Sequence, residues 1–77
     1  MSISNFNVMN TDALGFNIKI ERLKKKLSQE QFAEIINLST TSISAIETGK
    51  QIPSAINLYL MAKALNVDIN EFFKGIE

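Results

Sequence analysis

The sequence predicts an all-α domain built from five short helices. Its 77 residues include one proline and three glycines, so few positions interrupt a helix. Few stretches alternate apolar and polar residues with β-branched side chains, as strands do. A chain of this length forms one domain, which we place at residues 11–77. Residues 1–10 precede it as an N-terminal arm, either a partly ordered tail or a short strand.

The first helix is predicted from about Asp12 to Lys26, with Thr11 or Asn10 as its N-cap. Its lysine-rich end suits the negative end of the helix dipole. Leu14 and Ile18 lie on one face of this helix. A different face carries the longer apolar stripe, which consists of Phe16, Ile20, Leu23 and Leu27. The pattern therefore leaves two possible registers for the buried side.

Capping residues predict the next two helices. Ser28 and Gln31 form a capping box, and the helix they open should end at Asn37, a residue that tolerates left-handed backbone. Its expected buried side is Phe32, Ala33, Ile35 and Ile36. Ser39 caps a third helix at about Thr40 to Thr48, which ends at Gly49. The buried residues of that helix are Ile43 and Ile46.

Two further helices complete the prediction. The fourth begins at Pro53 and Ser54 and runs to Leu65. Its expected buried row is Leu58, Met61, Ala62 and Leu65. The fifth is short, from Ile69 to about Lys74, and it stops before Gly75. It presents Phe72 and Phe73.

The composition argues against an enzyme, a metal centre and a membrane protein. The chain has no cysteine and no histidine, so disulfides, thiolate zinc sites and the commonest general base are excluded. The residues indicate no cofactor and no small-molecule substrate. No apolar run approaches the roughly 18 residues that span a bilayer. With no secretory signal at the N-terminus, we expect a cytoplasmic protein.

The link between the second and third helices has only about three residues, which is typical of a helix-turn-helix. In that motif the second helix lies in the major groove of DNA, so its outward face lacks bulky apolar groups. The third helix meets this requirement. Its outward residues are Thr40, Thr41, Ser44, Ala45 and Thr48.

Residues 27–73 closely resemble the Cro and phage-repressor type of bacterial helix-turn-helix domain. The matching positions are Ser28-Gln29, Phe32-Ala33, Leu38-Ser39, Ile43-Ser44, Ile46-Glu47, Gly49-Lys50, Pro53-Ser54, Leu58, Ala62, Leu65, Val67 and Glu71-Phe72. The resemblance covers about residues 12–77. It implies a five-helix, lambda-repressor-like fold and a transcriptional regulator that binds double-stranded DNA, as a repressor or an autoregulator.

The resemblance also implies which residues contact DNA. Gln29 matches a position that holds a phosphate with its side chain and backbone amide. The other implied contacts come from Ser39, Thr40, Thr41, Ser42, Ser44, Thr48 and Lys50. Hydroxyl and methyl groups replace the side chains that bind guanine or adenine bidentately, so we expect an A/T-biased half-site.

In the resembling family, a glutamate at the position of Glu47 pairs with an arginine of the first helix, here Arg22. This register leaves Phe16, Ile20 and Leu23 facing outward. The register favoured by apolar periodicity would instead bring Lys24 near Glu47. We adopt Arg22.

Apolar residues beyond those expected in the core predict a protein–protein interface. They lie on the fourth helix and near the C-terminus, and they are Ile56, Tyr59, Leu60, Phe73 and Ile76. Family relatives commonly dimerise through their C-terminal helices, so we expect a homodimer on an inverted-repeat operator. Docking of the N-terminal arm is the competing use of such surfaces.

The charge balance bears on DNA binding. Eight basic residues balance eight acidic ones, and residues 27–49 contain three glutamates and no lysine or arginine. We therefore expect few ionic contacts per subunit and a shallow dependence of DNA affinity on salt. The alternative function is a protein-interaction module of the same fold, such as an antitoxin that acts mainly through a partner protein.

Overall fold

The computed structural model describes residues 10–76 and is all-helical across that range. Four α-helices are followed by a terminal 3₁₀ helix at Ile69–Phe73. The α-helices are α1 (Thr11–Lys24), α2 (Gln29–Ile36), α3 (Thr40–Glu47) and α4 (Ala55–Leu65). The all-α prediction is confirmed. The predicted arm at residues 1–10 lies, except for Asn10, outside the described residues.

Short polar side chains begin every helix, because the first backbone N–H groups of a helix have no partner within it. The N-caps are Asn10, Ser28, Ser39, Ser54 and Asp68. The predicted capping box is present, since Ser28 Oγ accepts from the Gln31 backbone N–H at 3.0 Å and Gln31 Oε1 accepts in return at 2.8 Å.

Each described helix is followed within two residues by a left-handed residue, which turns the chain. Asn37 and Asn66 have φ values of 57° and 55°, and Gly49 has a φ of 80°. Asn37 and Gly49 end the helices where the sequence predicted. Helix α1 ends at Lys24, before the expected Lys26, because Lys26 itself adopts a φ of 59° in the link to α2.

One apolar core lies between the helices. Its buried members are Leu14, Ile18, Phe32, Ala33, Ile36, Ile43, Ile46, Met61, Ala62, Leu65 and Phe72. Leu58, expected to be buried, is half-buried against this core. Ile35 was predicted to be buried and that prediction is wrong, because its side chain is 56% exposed between α2 and α4.

Asn17 fastens the C-terminal segment to α1, a role that no local pattern indicated. Its side-chain amide donates to the backbone oxygens of Phe72 and Lys74, both at 2.9 Å. These hydrogen bonds hold the 3₁₀ helix against α1, where its Phe72 side chain is fully buried in the core. No helix within residues 10–76 has the length and apolar character needed to cross a membrane.

Candidate nucleic-acid interface

Helices α2 and α3 form a tight helix-turn-helix. Only three residues, Asn37 to Ser39, connect them. The left-handed Asn37 reverses the chain, and the Leu38 backbone N–H donates to Ala33 O at 2.9 Å. Leu38 packs partly against the core, so the turn is held in place by an apolar contact as well as by backbone hydrogen bonds.

A shallow surface depression lies where the start of α2 meets the outer side of α3. Its lining is small and mostly polar, and it consists of Gln29, Thr40, Thr41, Ser44, Ala45, Thr48 and Lys50. Six of the eight residues predicted to contact DNA therefore share one surface. Ala45 is the seventh member and supplies a methyl group.

Ser39 and Ser42 are the two predicted contact residues that do not line this depression. Ser39 Oγ accepts from the Ser42 backbone N–H at 3.0 Å, so it caps α3. The same hydroxyl donates to Ser42 Oγ at 3.0 Å. Their hydroxyls are thus bonded to each other, and Ser39 serves as the N-cap of α3.

Two backbone donors in the first turn of α2 have no partner among residues 10–76. Ser28 and Gln31 satisfy each other through the capping box, whereas the N–H groups of Gln29 and Glu30 have no acceptor among residues 10–76. Unpaired N–H groups at a helix N-terminus suit an anion such as a DNA phosphate. Gln29 brings this helix end to the edge of the depression.

Beneath the depression, Glu47 at the end of α3 is buried and paired with Arg22 of α1. Arg22 Nε donates to Glu47 Oε2 at 2.6 Å, and Nη2 donates to Oε1 at 3.0 Å. The third guanidinium nitrogen, Nη1, donates to Leu27 O at 2.7 Å, so all three nitrogens of Arg22 are hydrogen-bonded. Lys24 contacts Glu21 instead, at 3.1 Å, so the register that apolar periodicity favoured for α1 is wrong.

Gln29 is hydrogen-bonded to this buried pair, a contact that no sequence pattern indicated. Its side-chain Nε2 donates to Glu47 Oε1 at 3.0 Å. The two residues are 18 positions apart and belong to different helices, so no spacing rule along one helix relates them. One carboxylate therefore joins α1, the start of α2 and the end of α3.

Helices α1 and α3 approach each other closely at Gly15. A Cβ atom at this position would lie 2.1 Å from Ile46 O, so only glycine fits. A second contact lies at the end of α3, where Thr11 Oγ1 donates to Gly49 O at 3.3 Å. Because α1 packs this tightly on the end of α3, it sets the orientation of the outer face that α3 presents.

The depression carries little positive charge. Lys50 is its single lysine or arginine, and the charge of Arg22 is neutralised beneath the surface by Glu47. The Thr48 hydroxyl donates to Ser44 O at 2.8 Å, so Thr48 offers an incoming group an acceptor and a methyl group. The surface is thus built for hydrogen bonds and small apolar contacts more than for ion pairs.

Two apolar patches remain exposed elsewhere on the described surface. The α1 patch consists of the exposed Phe16 and Leu23 with the half-buried Ile20, and Phe16 is 57% exposed. The α2–α4 patch consists of Ile35, Ile56, Tyr59 and Leu60. Ile35, Tyr59 and Leu60 line a groove that also contains Lys63, and Ile56 precedes Tyr59 by one helical turn on α4. Phe73 and Ile76, also predicted as interface residues, are half-buried against the core.

Comparisons with known proteins agree with this geometry. Residues 18–72 match the sequence profile of the helix-turn-helix family. The control protein C.MunI of a Mycoplasma species is 39% identical over 72 residues, covering 90% of this chain and 97% of that protein. The crystal structure of the restriction-modification controller C.AhdI of Aeromonas hydrophila superposes with a TM-score of 0.78 at 28% identity, covering 82% of this chain and 96% of that one. SinR, a biofilm regulator solved in complex with DNA, gives a TM-score of 0.74 at 27% identity, covering 79% and 98%.

Proposed function

The chain belongs to the helix-turn-helix family and is a DNA-binding transcriptional regulator, and we propose that it binds an inverted-repeat operator as a homodimer. In this proposal α3 enters the major groove, and the start of α2 lies on the phosphate backbone. The observation that carries the proposal is the depression shared by Gln29, Thr40, Thr41, Ser44, Thr48 and Lys50.

The side chains of the depression determine which base pairs α3 can recognise. Threonine and serine hydroxyls both donate and accept hydrogen bonds, and the Ala45 methyl can pack on a thymine methyl. No lysine, arginine, asparagine or glutamine projects from α3 itself, so bidentate contacts to guanine or adenine do not come from this helix. The operator half-site is therefore A/T-biased, and DNA shape and bridging waters contribute to its recognition.

A pair of matched charge substitutions tests the interface. Thr41→Asp puts a carboxylate on the exposed first turn of α3, where an acidic residue is compatible with the helix dipole. Asn70→Asp makes the same charge change in the first turn of the terminal 3₁₀ helix. On a 30-base-pair duplex selected from a random pool, we expect Thr41→Asp to weaken binding by at least about a hundredfold, since the carboxylate repels the duplex. Equal affinities of the two variants, or G/C-rich selected half-sites, would contradict the proposal.

The α2–α4 patch supports the dimer. Ile56 is 72% exposed, and Tyr59 and Leu60 lie one turn further along the same helix face. The exposed Ile35 extends this apolar surface across to α2. A contiguous apolar area of this kind is typical of a protein interface, and a two-fold axis would bury it against its own copy.

Sedimentation distinguishes the two apolar patches. Ile56→Asp would bury a carboxylate in the proposed dimer interface, so we expect a monomer at a protein concentration of tens of micromolar. Phe16→Asp makes an equally severe change on the α1 patch and should leave the dimer intact. A dimer that is lost in Phe16→Asp and kept in Ile56→Asp would place the interface on α1 instead.

Similarity over nearly the full length of two controller proteins supports a more specific role. In this role the protein controls a restriction-modification system and binds DNA upstream of its own gene. A gel-shift experiment with that upstream DNA tests autoregulation. Reporter expression that does not change when the protein is supplied would contradict it.

A further inference from the structure

The buried Arg22–Glu47 pair connects the core of the protein to the proposed DNA interface through Gln29. We propose that Arg22 and Glu47 are positioning residues, which hold the Gln29 side-chain amide ready to bind a DNA phosphate. The inference rests on the proposed function, because it concerns how one of the proposed phosphate contacts is prepared. It assigns to a buried ion pair a role in DNA affinity in addition to its role in the fold.

The hydrogen bonds around Glu47 fix all three side chains. Glu47 Oε1 accepts from Arg22 Nη2 and from Gln29 Nε2, each at 3.0 Å. Glu47 Oε2 accepts from Arg22 Nε at 2.6 Å. Arg22 is held in turn by its contact with Leu27 O at 2.7 Å. The carboxylate therefore cannot rotate without breaking several charge-assisted hydrogen bonds, which are among the stronger ones in proteins.

The carboxylate also decides which way the Gln29 amide faces. A carboxylate only accepts hydrogen bonds, whereas an amide has a donating and an accepting end. The flipped amide would put the Gln29 carbonyl oxygen against Glu47, so the Nε2 end is the one that points inward. This arrangement uses one of the two Nε2 hydrogens. The other remains available at the edge of the depression, next to the backbone N–H groups at the start of α2.

Preorganisation of this kind raises affinity, because a long side chain that is already fixed loses little freedom when the ligand binds. Immobilising a flexible side chain weakens binding by about two- to tenfold. A homodimer uses the arrangement twice. The expected effect of releasing both Gln29 side chains is therefore a loss of roughly tenfold in operator affinity.

A double-mutant cycle tests the proposal with the full chain and the selected 30-base-pair duplex. The variants are Gln29→Ala, Glu47→Gln and their combination, and the Kd is measured by fluorescence anisotropy at fixed salt. Glu34→Gln is the matched control, because it removes the same charge from an exposed position of α2. We expect Gln29→Ala to weaken binding by about a hundredfold and Glu47→Gln by about tenfold. In the Gln29→Ala background, Glu47→Gln should change the Kd by less than about twofold, since nothing is left to position.

A second variant separates positioning from folding. Arg22→Met/Glu47→Leu replaces the ion pair with apolar side chains of similar volume, an exchange that is often neutral for stability. It keeps the core filled but removes the acceptor of Gln29. We expect it to unfold cooperatively and to bind the duplex about tenfold more weakly than the wild type. In the Gln29→Ala background, the same double substitution should change the Kd by less than about twofold.

NMR spectroscopy observes the same contact directly. In the wild type, the two Gln29 side-chain amide protons should be well separated in chemical shift, because one is bound to a buried carboxylate. They should move together in Glu47→Gln and stay unchanged in Glu34→Gln. Signals that stay equally separated in Glu47→Gln would show that Glu47 does not hold the Gln29 amide, and would overturn the positioning role.

These measurements distinguish failure of the positioning role from failure of the proposed function. If Glu47→Gln weakens binding equally with and without Gln29, the positioning role is overturned and the DNA interface stands. If Gln29→Ala binds as the wild type does, Gln29 does not contact the duplex and the positioning role is also overturned. If the wild type retains no duplex from the random pool, the proposed function itself fails.

Discussion

Helices α1 and α3 pack against each other, yet they place different kinds of side chains inside. Helix α3 buries Ile43 and Ile46 and turns its threonines outward. Helix α1 buries Arg22 and Glu21 beside its apolar core residues, while Phe16 and Leu23 are exposed. Apart from Glu47 at its end, which is buried against Arg22, the polarity pattern of α3 matches its burial, whereas the pattern of α1 contradicts it.

Approximate energies explain this difference. Rotating α1 to bury Phe16, Ile20 and Leu23 would expose Leu14 and Ile18; because Ile20 is already half-buried, the net gain is less than one side chain, or below about 1.5–3 kcal/mol. The same rotation would replace Arg22 at Glu47 with Lys24, whose single ammonium cannot reproduce the two guanidinium hydrogen bonds to the buried carboxylate or the third one to Leu27 O. The ion pair thus outweighs the longer apolar stripe. An apolar stripe indicates a surface that gains from being covered, but it does not show what covers it.

The largest expected effect comes from breaking the ion pair. Arg22→Ala leaves Glu47 buried without its counter-charge, so we expect the free energy of unfolding to fall by about 3–5 kcal/mol. Lys24→Ala, which removes an exposed partner of Glu21, should change it by less than about 0.5 kcal/mol. Urea denaturation of both variants measures the difference. Similar losses would mean that the pair does not set the register of α1.

A second comparison tests the two faces of α1. Ile18→Ala removes a fully buried side chain and should cost about 2–5 kcal/mol. Phe16→Ala removes a larger side chain from an exposed position and should cost less than about 1 kcal/mol. Thermal unfolding of the two variants at equal concentration gives the ranking. The reverse ranking would show that the α1 patch is covered in solution.

The contact between α1 and α3 provides a third test. Alanine normally stabilises a helix relative to glycine, by about 1 kcal/mol. At Gly15 we expect the opposite, a loss of about 1–3 kcal/mol, because the added methyl group meets the Ile46 carbonyl oxygen and separates the helices. Lys19→Ala, at an exposed position of the same helix, is the control. A stabilised Gly15→Ala variant would contradict the close approach.

The smallest effect concerns the charge of the outer face of α3. Lys50 is the single lysine or arginine of the depression, so Lys50→Gln should make the slope of log K against log salt shallower by about 0.9 per subunit. Lys63→Gln, in the groove beside the α2–α4 patch, should leave the slope unchanged. Binding titrations at several salt concentrations measure it. An unchanged slope for Lys50→Gln would exclude this lysine from phosphate contact.

The sequence predicted much of the fold because its signals are local. Ser28, Ser39 and Ser54 cap helices through hydrogen bonds that span three residues, so neighbouring sequence suffices to locate them. The outward polar face of α3 could also be predicted from the sequence, because the two buried isoleucines of that helix recur at helical spacing. The prediction failed at Ile35, because whether that residue is covered depends on how α4 lies against α2.

The sequence by itself located the helix starts and most of the helix ends, although α1 stops two residues before its predicted end, and through its resemblance it favoured Arg22 over Lys24 as the partner of Glu47. Only the tertiary structure decided the register of α1, the exposure of the α2–α4 patch and the attachment of Gln29 to Glu47. Arg22 and Glu47 are 25 positions apart, and Asn17 reaches residues 55 and 57 positions away. Contacts of that range follow from the way whole helices fill one core, and local periodicity carries no information about them.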